Sequence, residues 1–227
     1  MDKVIFKTKD SVEIHGLYAP TENQSAPAVL LLHMMPAAKE SWGQFQEKLR
    51  EVGFQSLAID ERGHGESVWK DGERIDYKNF TDTEQQEKIL DVEAAMRFLS
   101  EQSVEFGQTA IAGASIGANL ALQYQAEHKE IKATVLLSAG IDYKGIKTEL
   151  LAERVLPEQS VYLAGAKGDV RSSGASCADA AKALYSLLPS KNKKITVFEG
   201  KEHGTDMFAA YPELTDNTIE WLKEIYF

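Results

Sequence analysis

The sequence has one cysteine, no long uncharged apolar run and no dense cluster of basic residues, and each absence argues against a class of protein. Cys177 alone cannot form an internal disulfide, and one thiol is too few for a structural zinc site. No segment approaches the roughly 18 apolar residues needed to span a bilayer, and the first residues lack the apolar block of a signal peptide. We therefore expect a soluble, cytoplasmic protein without a membrane partner, in which Cys177 is a small apolar residue of a helix.

Acidic residues outnumber basic ones. The chain has 35 Asp and Glu against 25 Lys and Arg, a formal net charge of -10, which would repel a phosphate backbone and argues against a nucleic-acid partner. With 43% hydrophobic residues and no Pro/Gly/Ser-rich linker, the chain is expected to form one domain over residues 1–227. Nothing in the sequence indicates an oligomeric state.

Hydrophobic periodicity predicts the fold class. The segments KVIFKT and VEIHGLYAP alternate apolar and polar residues and predict an N-terminal β-hairpin. Continuous apolar runs then alternate with segments of helical spacing to the end of the chain, including a helix predicted at about 82–102. This pattern predicts an α/β fold with a mostly parallel central sheet and helices on both faces, whose reactive groups lie beyond the carboxyl ends of the strands.

A serine between two glycines, in the stretch GASIG, is the first candidate reactive group. It lies between a predicted strand (residues 109–113) and a predicted helix that begins at Ile116, which is the context of a nucleophile elbow. Such a turn would expose the Ser115 hydroxyl, and the start of the helix would aim the Ile116 N–H at an oxyanion. The alternative is a glycine turn in which the serine has no chemical role.

A serine nucleophile needs a histidine base. His203 fits that role because it follows the last predicted strand in a glycine-flanked loop, FEGKEHGTDMF. The other four histidines are expected to have structural roles: His15 in the hairpin, His128 at a helix end, and His33 and His64 in loops.

Three aspartates are candidates for the acid that would orient this histidine. Asp169 is favoured because the order Ser115, Asp169, His203 is the chain order that an elbow serine requires. Asp142, at the end of the preceding strand, is the rival for that role and also a candidate pocket residue. Asp206 is expected to cap a helix or to stabilise a loop.

Together with GASIG, the stretches LLLHMMPAAKESW and DERGHGES resemble the α/β-hydrolase fold superfamily over nearly the whole chain. The resemblance implies that the N–H of Met34 is the second oxyanion donor, at a position where the family often has glycine. Met34 and Met35 would then also line the acyl pocket.

Many members of this superfamily carry a helical cap before the strand of the acid. Here the interval from Asp142 to Gln159 has room for a loop and one short helix, so no cap domain is expected. In this respect the chain is similar to the small capless hydrolases related to dienelactone hydrolases and acyl-peptide-hydrolase-like esterases. The dienelactone enzymes use cysteine where this chain has Ser115.

The expected function is that of a serine carboxylesterase acting on small or medium esters through an acyl-enzyme, without a cofactor or metal. A thioesterase or a small-substrate acyltransferase would use the same residues. A non-catalytic receptor for a small molecule is the alternative from another class. A metal-dependent hydrolase built on His33 and His64 is disfavoured because no spacing presents two ligands on one helix face.

Overall fold

The computed structural model describes residues 1–171 and 174–227, and within these ranges eight strands form one sheet. The strands are β1 (Asp2–Lys7), β2 (Glu13–Ala19), β3 (Ala28–Leu32), β4 (Gln55–Ile59), β5 (Thr109–Ala114), β6 (Ala133–Leu137), β7 (Ser160–Ala166) and β8 (Lys193–Phe198). Their order across the sheet is β1-β2-β4-β3-β5-β6-β7-β8. β2 is antiparallel to β1 and to β4, and the other neighbouring pairs are parallel.

The strands have the burial that their sequences predict. β1 and β2 alternate between more and less buried residues and form the predicted N-terminal hairpin. Strands β3 to β7 are buried at every residue, as expected for parallel strands covered on both faces. The predicted mostly parallel α/β sheet is therefore confirmed.

Helices flank the sheet and are α1 (Gly43–Glu51), α2 (Asp82–Gln86), α3 (Ile89–Glu101), α4 (Ile116–Glu127), α5 (Thr148–Ala152), α6 (Cys177–Leu187), α7 (Asp206–Ala210) and α8 (Pro212–Tyr226). The single helix predicted at about 82–102 was wrong, because the segment forms α2 and α3 with a break at Glu87 and Lys88, whose side chains contact the turn after β4. The sequence analysis also missed the five-residue helix α7. No helix in the described part of the chain is both long and apolar enough to cross a membrane.

Two hydrophobic clusters lie on opposite faces of the sheet. Alternate residues of β3 divide between them, with Leu30 and Leu32 in one cluster and Val29 and Leu31 in the other. The first cluster includes residues of α3, α4 and α6, and the second includes residues of α1 and α8. The sheet is thus held between two helical layers, and its carboxyl edge stays available for the loops that carry polar side chains.

The turn after β4 is held by buried ion pairs. The pairs are Lys39 with Asp60 at 2.6 Å, Lys88 with Glu61 at 2.9 Å and Arg62 with Asp91 at 2.8 Å. All six side chains are at most 2% exposed. Loss of one partner would leave a buried unpaired charge, which typically costs about 3–5 kcal/mol, so these pairs fix the turn relative to α3 and to the loop after β3.

His64 lies inside the same turn and is held in its neutral form. Its Nδ1–H donates to the carbonyl of Arg62 at 3.1 Å, and its ring stacks on Tyr77 with 3.8 Å between ring centroids. Burial, together with the nearby charge of Lys88, lowers the pKa of His64 from 6.5 to about 2. Folding therefore requires an uncharged imidazole at this position.

This shift predicts a pH-dependent loss of stability. Below a pH of about 6.5 the unfolded chain binds a proton at His64 that the folded chain does not, so the free energy of unfolding falls by about 1.4 kcal/mol per pH unit for this group. His64→Asn keeps an N–H donor for the Arg62 carbonyl but cannot titrate. The free energy of unfolding can be measured in urea between about pH 5 and 6. Its slope against pH should be smaller in the variant, by an amount that corresponds to close to one bound proton. Equal slopes in the two proteins would contradict the prediction.

Candidate active site

The turn between β5 and α4 has the conformation of a nucleophile elbow. Ser115 has a φ of 56° and a ψ of -119°, and α4 begins at the next residue. Such a backbone conformation is strained for any residue except glycine. The N–H of Ser115 donates to the carbonyl of Leu137 at 2.8 Å, which fixes the turn against the neighbouring strand β6.

The two glycines that flank this serine are required by close backbone contacts. A Cβ atom on Gly113 would lie 2.1 Å from the carbonyl oxygen of Gly117, and one on Gly117 would lie 2.5 Å from the carbonyl oxygen of Leu32. Any side chain at either position would force α4 away from the sheet. The glycines therefore let the helix begin directly beside the ends of β3 and β5.

His203 and Asp169 are in contact, as the sequence analysis predicted. His203 Nδ1 lies 2.6 Å from Asp169 Oδ2, and the two side chains are 14% and 3% exposed. His203 Nε2 is buried and has no hydrogen-bond partner within the described part of the chain. The imidazole thus has one nitrogen paired with a carboxylate and the other open for a proton transfer.

The loop that carries the histidine is tied to the loop after β6. The N–H of Gly204 donates to Ser138 Oγ at 2.9 Å. A Cβ atom on Gly204, whose φ is 56°, would lie 2.5 Å from the sulfur of Met34. The His203 loop therefore packs directly against the loop after β3, and glycine is needed at that contact.

The Asp169 carboxylate is stabilised in its ionised form. Burial raises the pKa of this carboxyl group, but hydrogen bonds from His203 and Cys177 outweigh that effect, so the pKa lies below its ordinary value. Arg171 Nη1 also lies 3.2 Å from Asp169 Oδ1. An ionised acceptor at this distance favours the tautomer of His203 that carries its proton on Nδ1.

The two other candidate aspartates do not pair with the histidine side chain. Asp142 is exposed and accepts a hydrogen bond from the N–H of Gly145 at 2.8 Å, which closes a turn. Asp206 is the first residue of α7, and its N–H donates to the carbonyl of His203 at 3.1 Å. Among the three predicted carboxylates, the structure brings Asp169 to the imidazole.

The loop after β3 is held by His33. Its Nδ1–H donates to the carbonyl of Met34 at 3.0 Å, and its Nε2 accepts from the N–H of Glu61 at 3.0 Å. The predicted loop-organising role of His33 is confirmed by these contacts. Met34 is partly buried and packs on one face of the sheet, and the partly buried Met35 packs on the other. Ile116 is the first residue of α4, so its N–H is one of the donors that lack an intrahelical acceptor.

Ser115, Asp169 and His203 have three further neighbours that were not predicted from the sequence to belong to the site. They are Ser138, Tyr143 and Cys177. Burial raises the pKa of the Tyr143 hydroxyl and the neighbouring Ser115 side chain acts to lower it. The hydroxyl lies 3.7 Å from Cys177 Sγ and 3.5 Å from the carbonyl oxygen of Ser138. Cys177 lies on a helix, as predicted, and is buried, but its proximity to Asp169 was not predicted. These contacts join the ends of β5, β6 and β7, and no local pattern in the sequence signals them.

One group of side chains in the described ranges has the arrangement of potential metal ligands. Asp169, Cys177 and His203 each offer a ligand atom, and these atoms lie within 4.8 Å of one another. Burial and the adjacent Asp169 raise the pKa of the Cys177 thiol to about 12, so the sulfur is protonated and not a thiolate at neutral pH. A metal ion at this point would compete for the atoms that join His203 to Asp169.

The segment between β6 and β7 forms small elements. Asp142–Tyr143 pairs with Ile146–Lys147 in a two-stranded ribbon, and α5 follows directly. The predicted short helix is confirmed, whereas the ribbon was not predicted. From Asp142 to Gln159 the chain forms this ribbon, α5 and their connections, and it brings Tyr143 to the elbow.

Comparisons with known proteins agree with this architecture. The structure of the esterase Pf2001 from Pyrococcus furiosus is similar with a TM-score of 0.77 at 20% identity, over 98% of this chain and 91% of that one. The α/β hydrolase GrgF from Penicillium sp. sh18 has a TM-score of 0.81 at 15% identity, over 99% and 98% of the two chains. The esterase EaEST from Exiguobacterium antarcticum has a TM-score of 0.72 at 14% identity, over 98% and 100%. No curated protein sequence matches the chain.

These likenesses show that the chain has the α/β-hydrolase fold. The narrower resemblance to the dienelactone-hydrolase-like group stays a prediction. Residues 23–173 match the model of the hydrolase family described as serine aminopeptidase, S33. That range contains the elbow, the loops after β3 and β4, and Asp169. Because the match covers well over half of the sequence, the chain belongs to the serine aminopeptidase S33 family of hydrolases.

Proposed function

We propose that this hydrolase is a serine carboxylesterase in which Ser115 is the nucleophile, His203 the general base and Asp169 the acid that orients it. The observation that carries the proposal is the 2.6 Å contact between His203 Nδ1 and Asp169 Oδ2, together with a buried His203 Nε2 that has no partner among residues 1–171 and 174–227. The elbow serine lies at the same edge of the sheet. This combination provides a nucleophile, a base and an orienting group in the order that acyl transfer requires.

The proposed reaction proceeds in two acyl-transfer steps. Ser115 Oγ attacks the ester carbonyl carbon while its proton passes to His203 Nε2. The carbonyl oxygen becomes an oxyanion that accepts hydrogen bonds from the N–H groups of Met34 and Ile116. The C–O bond then breaks as His203 returns the proton to the leaving alcohol. Water then attacks the acyl carbon as it loses a proton to His203. The bond between that carbon and Ser115 Oγ breaks, His203 returns the proton to Oγ, and the free acid leaves.

Electrostatics support these roles. The ionised Asp169 stabilises the imidazolium that forms when His203 accepts the proton, and its low exposure strengthens that interaction relative to water. The contacts of His33 with Met34 and Glu61 hold the proposed oxyanion loop before substrate arrives. Preorganised donors of this kind are usually the largest single contribution to such catalysis.

Esters are favoured over other acyl compounds because several proteins of similar structure are named as esterases, including Pf2001 and EaEST. The family description instead names an aminopeptidase, so hydrolysis of aminoacyl amides is the second candidate activity. Thioesterase or acyltransferase activity would use the same three residues. Parallel assays with p-nitrophenyl esters, acyl thioesters and aminoacyl p-nitroanilides separate these activities, and ester hydrolysis is expected to dominate.

Removal of the Ser115 hydroxyl should abolish turnover. Ser115→Ala is expected to reduce p-nitrophenyl acetate hydrolysis to background and to prevent labelling by a fluorophosphonate probe, because alanine fits the elbow but has no attacking oxygen. Ser103→Ala is the matched control, since Ser103 also has a positive φ of 69° but is exposed at the end of α3. More than a few per cent residual turnover in Ser115→Ala would contradict the mechanism.

Replacement of the two carboxylates that follow β6 and β7 should have very different effects on kcat. Asp169→Asn is expected to lower kcat by on the order of 10⁴-fold, because an amide favours the wrong tautomer of His203. Asp142→Asn should change kcat less than about twofold, since Asp142 accepts a hydrogen bond from Gly145 and an asparagine oxygen can do the same. Steady-state kinetics on both folded variants tests this, and a larger loss in Asp142→Asn would overturn the assignment.

The short segment between β6 and β7 predicts a preference for short acyl chains. Each methylene gains about 0.8 kcal/mol on burial only while the protein covers it, and this segment supplies a ribbon and one five-residue helix. Among p-nitrophenyl esters, kcat/KM should therefore peak at about two to six acyl carbons by that burial argument. A chain-length series measured below and above the aggregation threshold of the substrates tests this. A jump in rate at the threshold would show that a mobile cover exists.

A further inference from the structure

A small cavity lies between the ribbon after β6 and helix α6. Its volume is about 230 Å³, and its lining includes Ile141, Asp142 and Tyr143 on the ribbon side and Cys177 and Ala180 on α6. Three larger surface grooves have volumes of about 490, 600 and 420 Å³. The first is lined by the loop after β2, the end of α1 and Phe227, the second by α1, α7 and α8, and the third by the end of α4 and the segment before β7. Ser115, Asp169 and His203 line none of these three grooves.

Two residues that line this cavity, Tyr143 and Cys177, also border the candidate active site. Tyr143 is a neighbour of the Ser115 side chain, and its ring lies so close to Gly140 that a Cβ atom there would be 2.7 Å from the ring carbons. The sulfur of Cys177 lies within 4.8 Å of the facing atoms of Asp169 and His203. The side chain of Tyr143 therefore lies between the cavity and the proposed nucleophile, Ser115.

The direction in which a substrate extends follows from the proposed function, on which this inference rests. The carbonyl carbon attacked by Ser115 carries an oxygen, a leaving alcohol and an acyl chain. The oxygen must face the N–H groups of Met34 and Ile116, and the leaving alcohol must face His203 Nε2, which protonates it. The acyl chain must then leave Ser115 in a third direction, and the side chain of Tyr143 is a neighbour of Ser115 that can border this path.

The lining of the cavity suits an aliphatic group. Ile141, the ring of Tyr143, Ala180 and the protonated thiol of Cys177 are apolar surfaces. Two polar side chains also line the cavity, and each is engaged locally: Asp142 accepts from the N–H of Gly145, and Ser176 accepts from the N–H of Asp179. The charged group of Arg171, also on the lining, is engaged by the carboxylate of Asp169 at 3.2 Å. A volume of about 230 Å³ is below the range of pockets that take drug-sized ligands, so the group must be short.

We propose that the cavity between Tyr143 and α6 is the acyl subsite of this enzyme and that it binds a short aliphatic acyl chain. Ala180 lines the cavity on α6, and Ile141, which directly precedes the ribbon, lines it on the other side. The size of these two side chains then sets the longest acyl group that is bound without exposure to water.

Two opposite substitutions test this subsite. Ala180→Leu fills the cavity, and the ratio of kcat/KM for p-nitrophenyl hexanoate to that for the acetate should fall at least about tenfold, since the burial of about two methylenes is lost. Ile141→Ala enlarges the cavity and should move the optimum to longer acyl chains. Because the backbone carbonyl of Ile141 accepts the bonds from Thr148, this substitution removes no polar contact.

Ala183→Leu is the matched control, because Ala183 is on the same helix and is not among the residues that line the cavity. It should leave the hexanoate to acetate ratio within about twofold of the parent, far from the loss expected for a filled pocket. A second series of acetate esters with alcohols of increasing length should respond to none of the three variants. If Ala180→Leu does not fold, Ile141→Ala alone decides the outcome.

Unchanged acyl selectivity in active variants, or a change in the alcohol series instead, would overturn the acyl assignment and leave the proposed function intact. Absence of ester turnover and of fluorophosphonate labelling in the unmodified protein would instead show that the proposed function fails. The labelling rate of each variant therefore has to be measured beside its kinetics.

Discussion

The arrangement of the site depends on how closely α4 approaches β3 and β5. The approach is possible because Gly113 and Gly117 have no side chains, and Gly117 lies against the carbonyl of Leu32. This close approach places the first N–H of α4 beside the loop after β3. It also forces Ser115 into a conformation with a φ of 56°. The strain is sustained because the flanking strands are buried at every residue, so the surrounding packing outweighs the local cost.

A second constraint is that polar groups at this edge are buried and must be paired. Asp169 is nearly inaccessible and is paired with His203 Nδ1, and His33 is held by backbone groups at both of its nitrogens. Among the described residues, His203 Nε2 is buried without a hydrogen-bond partner, as are some other buried side-chain atoms such as His64 Nε2. An unpaired buried nitrogen costs free energy, and at His203 the other ring nitrogen is held by Asp169.

Much of this could be predicted from the sequence because the decisive signals are local. The GASIG stretch between an apolar run and a helical segment is typical of a nucleophile elbow. Asp169 and His203 each follow an apolar run, and this predicts that both lie at the same edge of a parallel sheet. The contacts of Tyr143 and Cys177 could not be predicted. They depend on a two-residue ribbon and on the position of α6 over the sheet, and such elements have no periodicity of their own. For the same reason α7 and the break between α2 and α3 were missed.

In the proposed mechanism, Ser115 carries the acyl group between the two halves of the reaction. Mass spectrometry of the protein quenched during turnover of a short-chain ester detects such an intermediate. A mass increase equal to one acyl group is expected on the peptide that contains Ser115, together with accumulation of that species in Asp169→Asn when deacylation is slowed. Turnover without a covalent species, or an acyl group located on another residue, would contradict it.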